Sequence, residues 1–422
     1  MGELVLRKAS GFGGEFRPPS DKSITHRAYM IGAISISGGE ISNPLRARDC
    51  EDTLQILRDL GARVESSHDD VQIFPSEFRS PGRPLWCGNS GTTMRLMTGL
   101  LAGVGVEAEL VGDESLSRRP MRRVIEPLRL MGANVEGDTA PIKIKPARLK
   151  GIHYRLPIAS AQVKSALLLA GLFAEGETII EEPAASRDHT ERMLRHAGCE
   201  VQIEHCKVSI RSGKPKSVIM RIPGDISSAA FFMVAAACLR GDLHVREVGI
   251  NPTRNGILGV LQSCGVCFEI ANRRTEQGEP VADIHFEKSS SEYQSFEIGG
   301  ANIPRLIDEI PILSVFATQC NGVSVIRDAS ELRVKESDRI ETVARGLRAM
   351  GAKVETFDDG LAVEGPVRLR GAVIDAQNDH RIGMAFAVAG LLAEGETRIT
   401  NAETIATSFP GFEEELLRLA KM

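Results

Sequence analysis

Along the chain, runs of small and apolar residues too uniform for a surface helix alternate with stretches whose apolar positions recur every second, or every third to fourth, residue. One phrase returns six times: an apolar helix rich in small residues, a glycine-containing turn and a short alternating strand. It reads ITHRAYMIGAISISGGEIS from Ile24, TMRLMTGLLAGVGVEAEL from Thr93 and KSALLLAGLFAEGETIIEE from Lys164. It returns as SAAFFMVAAACLRGDLHVRE from Ser228, PILSVFATQCNGVSVIRD from Pro311 and GMAFAVAGLLAEGETRITN from Gly383. A helix without a polar face has to be buried on all sides, so sheets are expected around it.

A second phrase follows most copies: an amphipathic helix ending in leucine or methionine, then Gly and a strand. Examples are LQILRDLGARVE from Leu54, IEPLRLMGANVE from Ile125 and VARGLRAMGAKVET from Val343. The glycines at Gly61, Gly132, Gly198, Gly265 and Gly351 are predicted to end these helices at positive φ, where a Cβ is unfavourable. The sequence therefore divides into six α/β units of roughly 65–85 residues, each too small to bury its own core. The sixth ends in a helix, PGFEEELLRLAKM, without a full second strand, and ELVLRKA at the start of the chain supplies the missing one. Two domains of three units are expected, one spanning 21–223 and the other 1–20 plus 224–422, with crossings near Ser20–Asp21 and Pro223–Asp225.

Composition narrows the function classes. The 422 residues are 42% hydrophobic and 25% charged with a net charge of −5, so neither nucleic acid nor an anionic membrane is an expected partner. Three Tyr and one Trp leave little for a base-stacking platform. Eight cysteines scattered through a long chain, with no apolar secretion signal at the start, suggest reduced thiols in a cytoplasm. The most apolar windows, 165–174 and 229–239, are too short to span a bilayer and read as buried helices. No HExxH or full Cys/His zinc pattern occurs, and Cys264 with Cys267 reads as a buried structural pair. No metal and no organic cofactor is expected.

Polar residues gather where the apolar helices begin. Pro18-Pro19-Ser20-Asp21 delivers Ser20 or Asp21 as an N-cap, followed by Lys22, Ser23 and Arg27 in the first turns. Cys87-Gly88-Asn89-Ser90-Gly91 leads into the second helix, with Arg95 one turn further on; it is neither a Walker A nor a Rossmann loop. Ser160, Ala161, Gln162 and Lys164 open the third helix, offering a hydroxyl, an amide and a cation, and Arg187 lies near another helix start. Arg118, Arg119, Arg122 and Arg123 form an arginine cluster suited to bidentate anion contacts. In the C-terminal half, Asp308 and Glu309 interrupt an apolar run. Lys335, Glu336 and Arg339 have helical spacing, and Asp379-His380-Arg381 precedes the last apolar helix. Helix starts supplied with hydroxyls and cations suit phosphate and carboxylate ligands.

Taken in order, DKSITHRA at 21–28, GNSGTTMR at 88–95, RRP at 118–120, SAQVKSA at 160–166 and SRDHTERM at 186–193 resemble the enolpyruvyltransferase family. RLIDEIP at 305–311, LRVKESDRI at 332–340, NDHR at 378–381 and TSFPGF at 407–412 extend the likeness over nearly the whole chain. The resemblance is greatest to members acting on shikimate 3-phosphate, in the subgroup with SAQ and SRDHT motifs. It implies a two-domain α/β fold of six βαβαββ-type units, three per domain around buried helices, as an inside-out barrel. It also implies domain closure over substrates bound between the domains. The expected reaction moves the enolpyruvyl group of phosphoenolpyruvate to the 5-hydroxyl of shikimate 3-phosphate by addition and elimination, in a monomer without metal or cofactor.

Residue by residue, the resemblance assigns shikimate 3-phosphate to Lys22, Ser23, Arg27, Ser160, Ala161, Gln162, Arg187, Asp308 and Lys335. Phosphoenolpyruvate falls to Lys22, Gly91, Arg119, Gln162, Arg339 and Arg381. The catalytic groups implied are Asp308 as base near the attacking hydroxyl, Glu336 for proton transfer at the methylene carbon, and Lys22 as an aid to charge or proton transfer. Many relatives have a second serine where Ala161 stands, a lysine in place of Arg187, and a lysine ahead of a Thr-Phe-Pro segment where this chain has Thr407-Ser408-Phe409-Pro410. Two alternatives are an enolpyruvyltransferase acting on UDP-N-acetylglucosamine and a noncatalytic phosphoshikimate-binding protein. The first is opposed by Lys22-Ser23 in place of a Lys-Asn start. The second is opposed by retention of both acidic residues and the cation set.

Overall fold

The computed structural model describes residues 2–288 and 292–421. Six helices with almost no polar surface occupy its cores: α1 (Lys22–Ile34), α2 (Gly91–Val104), α3 (Ala161–Gly171), α4 (Ile226–Cys238), α5 (Ile310–Ala317) and α6 (His380–Leu392). The apolar windows at 165–174 and 229–239 fall in or beside α3 and α4. Among the described residues no helix is long and apolar enough to cross a membrane.

Five of the six begin at a side-chain cap, which satisfies backbone N–H groups that the helix itself leaves without an acceptor. Asp21 accepts from Ile24 N at 2.9 Å, Ser90 from Thr93 N at 3.1 Å and Ser160 from Val163 N at 3.4 Å. Asp225 accepts from Ser227 N at 2.8 Å and Asp379 from Arg381 N at 2.9 Å. Of the two cap candidates ahead of α1, Asp21 is the one used. The sixth, α5, instead continues from the helical turns of 303–309.

The five glycines expected at helix ends all have φ between +84° and +95°. Each directly follows the C-cap residue of its helix and makes the same paired closure. Gly61 N donates to Arg58 O and Ala62 N to Leu57 O, both at 2.9 Å. The same two bonds recur at Gly132, Gly198, Gly265 and Gly351. This double bond is the Schellman closure, and it turns the chain directly into the following strand.

Each unit contributes one sheet, begun by a parallel pair and continued antiparallel. In the third unit His153–Arg155 runs parallel to Glu177–Glu181, which pairs antiparallel with Lys207–Arg211, and that with Val201–Glu204. Three sheets draw a strand from a distant part of the chain. Val218–Arg221 lies parallel to Gly39–Ser42 in the first. Gly11–Phe16 lies parallel to Asp242–Gly249 in the fourth. In the sixth, Leu4–Arg7 pairs antiparallel with Glu396–Thr400, burying Leu4 and Leu6. This is an α/β fold of repeated βαβαββ-like units around buried helices, the inside-out barrel architecture.

By contacts the chain divides into two units. One comprises Met1–Pro19, Pro223–Arg274 and Pro280–Met422, and the other Ser20–Ile222 with Thr275–Glu279. The short segment joins the second unit through Gly278 O, which accepts from Arg192 Nη1 at 3.1 Å, and Glu279, which is 2.8 Å from His189 Nδ1. Each unit has its own apolar core. In the first, Phe16 stacks on Phe232 of α4 with centroids 4.0 Å apart, fixing the start of the chain to its later half.

In the second, α2 and α3 meet through small residues. A Cβ on Gly99 would lie 2.2 Å from Ala166 O, and one on Gly103 would lie 3.1 Å from Ala170 Cα. Glycine is what lets the two backbones approach.

Candidate active site

In the unit containing Ser20–Ile222, the expected residues sit at the capped starts of α1, α2 and α3. Lys22 is the first residue of α1, and its Nζ lies 3.1 Å from Asp49 Oδ2. Arg27, one turn deeper and buried, ties three segments together. Its Nε donates to Thr190 Oγ1 at 2.7 Å, Nη2 to Ser165 Oγ at 2.9 Å and Nη1 to Ser23 O at 2.9 Å. These three acceptors are uncharged and fix the orientation of the guanidinium. Beside it, His26 is held well below the usual imidazole range by burial and then by Lys22 and Arg27.

Gly91 opens α2 where two arginines converge. A Cβ there would stand 2.7 Å from Arg95 Nη1 and 3.4 Å from Arg119 Nη1. Arg119 is buried and donates from Nη2 to Asn89 Oδ1 at 2.5 Å. Arg95 Nη1 donates to Gln162 Oε1 at 2.7 Å, and Gln162 Nε2 to Thr92 Oγ1 at 2.9 Å. Gln162 thus links the start of α3 to α2. Arg95 is a site residue beyond those the sequence motifs assign, and its i+4 spacing from Gly91 is the signal that places it there.

Several expectations are corrected. The arginine cluster splits, because Arg118 and Arg122 are exposed and pair with Glu114 and Glu126, leaving Arg119 to turn inward. Lys164 is no anion ligand: it is buried 2.6 Å from Glu182 and 2.8 Å from Glu191. Burial alone would depress its ammonium, but these two carboxylates outweigh it and raise its pKa. Ser160 spends its acceptor on the α3 cap, although a capping hydroxyl still has a proton to donate outward. Ala161 follows it as the first residue of α3, and Arg187 is half-buried ahead of the helix His189–His196. Cys264 is buried whereas Cys267 is exposed, so they are no buried pair.

The other unit brings Asp308, Glu336, Arg339 and Arg381 together. Arg339, 1% exposed at its side chain, is the hub. Its Nη2 donates to Glu336 at 2.7 Å and its Nη1 to Asp308 at 3.3 Å. Nε and Nη2 also reach the two carboxylate oxygens of Asp379, at 2.8 and 3.2 Å. Asp308 Oδ1 lies a further 3.8 Å from Arg381 Nε. Burial would lower the Arg339 pKa, but Asp379, Glu336 and Asp308 more than offset it and raise it. Arg339 is a fixed positive charge.

Two local expectations change here as well. Residues 335–337 are a bend, not a helix, and Arg339 is the first residue of the helix Arg339–Ala349, so Glu336 reaches it across a helix start. Lys335 lies half-buried at the end of the turn Ser330–Val334. The adjacent acids part company: Asp308 joins the cluster, whereas buried Glu309 accepts from Ser227 Oγ. Asp379, which both caps α6 and grips Arg339, was missed as a site residue because its partner lies far away in sequence.

A fold of repeated units around buried helices, with cations and carboxylates at the helix starts, defines an enolpyruvyltransferase. The family model for EPSP synthase (3-phosphoshikimate 1-carboxyvinyltransferase) matches residues 6–416. The chain is 46% identical to 3-phosphoshikimate 1-carboxyvinyltransferase of Bacillus cytotoxicus, covering 98% of this chain and 99% of that one. It is 48% identical to the protein of that name from Synechococcus, covering all of both. Among solved structures, EPSP synthase from Acinetobacter baumannii aligns with a TM-score of 0.88 and 42% identity, covering 100% of this chain and 98% of that one. The chain belongs to the EPSP synthase family.

Proposed function

We propose that the cationic and polar groups gathered at the starts of α1, α2 and α3 and the Asp308–Glu336–Arg339–Arg381 cluster carry out this family's reaction. The chain is an enzyme that transfers the enolpyruvyl group of phosphoenolpyruvate to shikimate 3-phosphate, releasing inorganic phosphate. The observation that most supports the residue assignment is the cluster itself. Two carboxylates with side chains only 13% and 20% exposed are held against a buried arginine, a setting suited to proton transfer next to a bound anion.

In this reading, shikimate 3-phosphate is held by Lys22, Ser23, Arg27, Ser160, Ala161, Gln162, Arg187, Asp308 and Lys335. Phosphoenolpyruvate is held by Lys22, Gly91, Arg119, Gln162, Arg339 and Arg381. The 5-hydroxyl oxygen adds to C2 of phosphoenolpyruvate while its proton passes to Asp308 and C3 gains a proton from Glu336. The resulting tetrahedral carbon then loses phosphate as C3 returns a proton to Glu336, restoring the double bond, and the departing phosphate carries away the proton that Asp308 received. Lys22 and the arginines neutralise charge that builds on the phosphate and carboxylate oxygens. The reading takes the protein as a cytoplasmic monomer needing no cofactor.

The test is product formation by purified protein with both substrates, followed by phosphorus NMR. One inorganic phosphate should appear for each enol ether formed. Absence of product while both ligands bind would refute the reading, and product with UDP-N-acetylglucosamine instead would select the other branch of the class.

A further inference from the structure

On the strands Asp242–Gly249 and Glu279–Phe286, three side chains with no role in the reaction above converge. His244 and His285 are directly opposite each other across the antiparallel pair. Their rings stack at 3.9 Å with only 8° between their planes. Asp242 is two residues before His244 and so projects from the same face of the strand. His285 Nε2 lies 3.1 Å from Asp242 Oδ1, and His244 Nε2 lies 3.5 Å from the same oxygen. Both Nε2 atoms thus lie within 3.5 Å of one carboxylate oxygen, and one donor atom from each residue falls within 4.8 Å of the other two.

We propose that Asp242, His244 and His285 form a binding site for a divalent cation of the zinc class. Zinc takes imidazole nitrogen and carboxylate oxygen at about 2.0–2.2 Å in a tetrahedron, which places its ligands about 3.3–3.5 Å from one another. The two N···O separations bracket that edge, and the cation is held once the two stacked rings turn so that their nitrogen lone pairs converge on it. Two nitrogens and one oxygen select zinc-class ions over calcium or magnesium, which prefer all-oxygen shells. The side chains are 63%, 39% and 29% exposed for Asp242, His244 and His285, leaving an entry path and a fourth position for water.

The surrounding charges do not compete for the ion. Arg246, on the same face, is held by Glu15 at 2.9 Å and Asp283 at 3.3 Å. Because the ligands come from two neighbouring strands, the ion acts as a clip across that pair.

Titration of the apoprotein with Zn²⁺ by calorimetry should give one site. His244→Ala and His285→Ala should each weaken binding by about tenfold or more, since even outer-shell partners change metal affinity by about that much. At equal concentration Zn²⁺ should also raise the Tm of the wild type more than that of either variant. The residues lie on the solvent face, so circular dichroism matching the wild type establishes that the variants fold. A wild type that takes up no Zn²⁺, or variants that bind and are stabilised as well as it is, would overturn the proposal.

Discussion

Gly91 shows how one missing methyl shapes a binding site. Its Cβ would displace the Nη1 ends of Arg95 and Arg119, which are the tips of flexible side chains and can yield. Gly91→Ala should therefore fold at least as stably as the wild type, because alanine is favoured over glycine in a helix by about 1 kcal/mol. Small displacements of positioning groups are nevertheless costly to turnover. We expect the KM for phosphoenolpyruvate to rise about tenfold, and that for shikimate 3-phosphate to stay within about twofold. Steady-state kinetics with each substrate varied in turn checks this, and an unchanged KM for phosphoenolpyruvate would contradict it. At this scale the sequence was informative about residue type and local spacing. Lys22, Gly91 and Arg119 are marked as anion contacts by the motifs shared with the family, and Lys22 and Gly91 also open helices, whose starts attract anions. Asp379 is not, because its grip on Arg339 spans two helix starts far apart in the chain. The His244–His285 pair was invisible for the same reason: only strand register brings the rings together.

Among elements, the contact of α2 with α3 is where local preference and packing disagree. Helix propensity favours Gly99→Ala, yet the new methyl would meet backbone atoms of Ala166 at 2.2–2.7 Å, and backbone cannot step aside. Overpacking of this kind costs about 1–3 kcal/mol, more than propensity returns. Gly259, exposed in the helix Gly256–Ser263 with nothing within 4 Å of its Cβ position, is the matched control. Urea denaturation should find Gly99→Ala destabilised by about 1–2 kcal/mol and Gly259→Ala stabilised by about 0.5–1 kcal/mol. Equal shifts at the two sites would mean that the close approach of α2 to α3 carries no energetic weight. The five glycine closures, and the cap of α1 to within one residue, were readable because each is settled within a few residues. The pairing of Val218–Arg221 with Gly39–Ser42 was not, since any alternating strand fits any open edge until the whole unit closes. The bend at 335–337 was misread as helix because the charged spacing that suits a helix also suits a segment just ahead of one.

For the molecule as a whole, the division of labour we propose is the central claim: cations and polar groups gathered at helix starts hold the anions, and the carboxylates beside Arg339 move protons. Each unit keeps its own apolar core, so the site residues are held by packing that does not depend on the ligands. The most direct measurement is a single-turnover comparison of Glu336→Gln with the wild type, alongside titration of both substrates. Gln can still accept from Arg339 Nη2, as Glu336 does at 2.7 Å, so the scaffold should stand while the exchangeable proton is lost. We predict a chemical step slower by about 10²–10⁴-fold, with both dissociation constants within about threefold of the wild type. An unchanged single-turnover rate, or a loss confined to ligand affinity, would contradict the account.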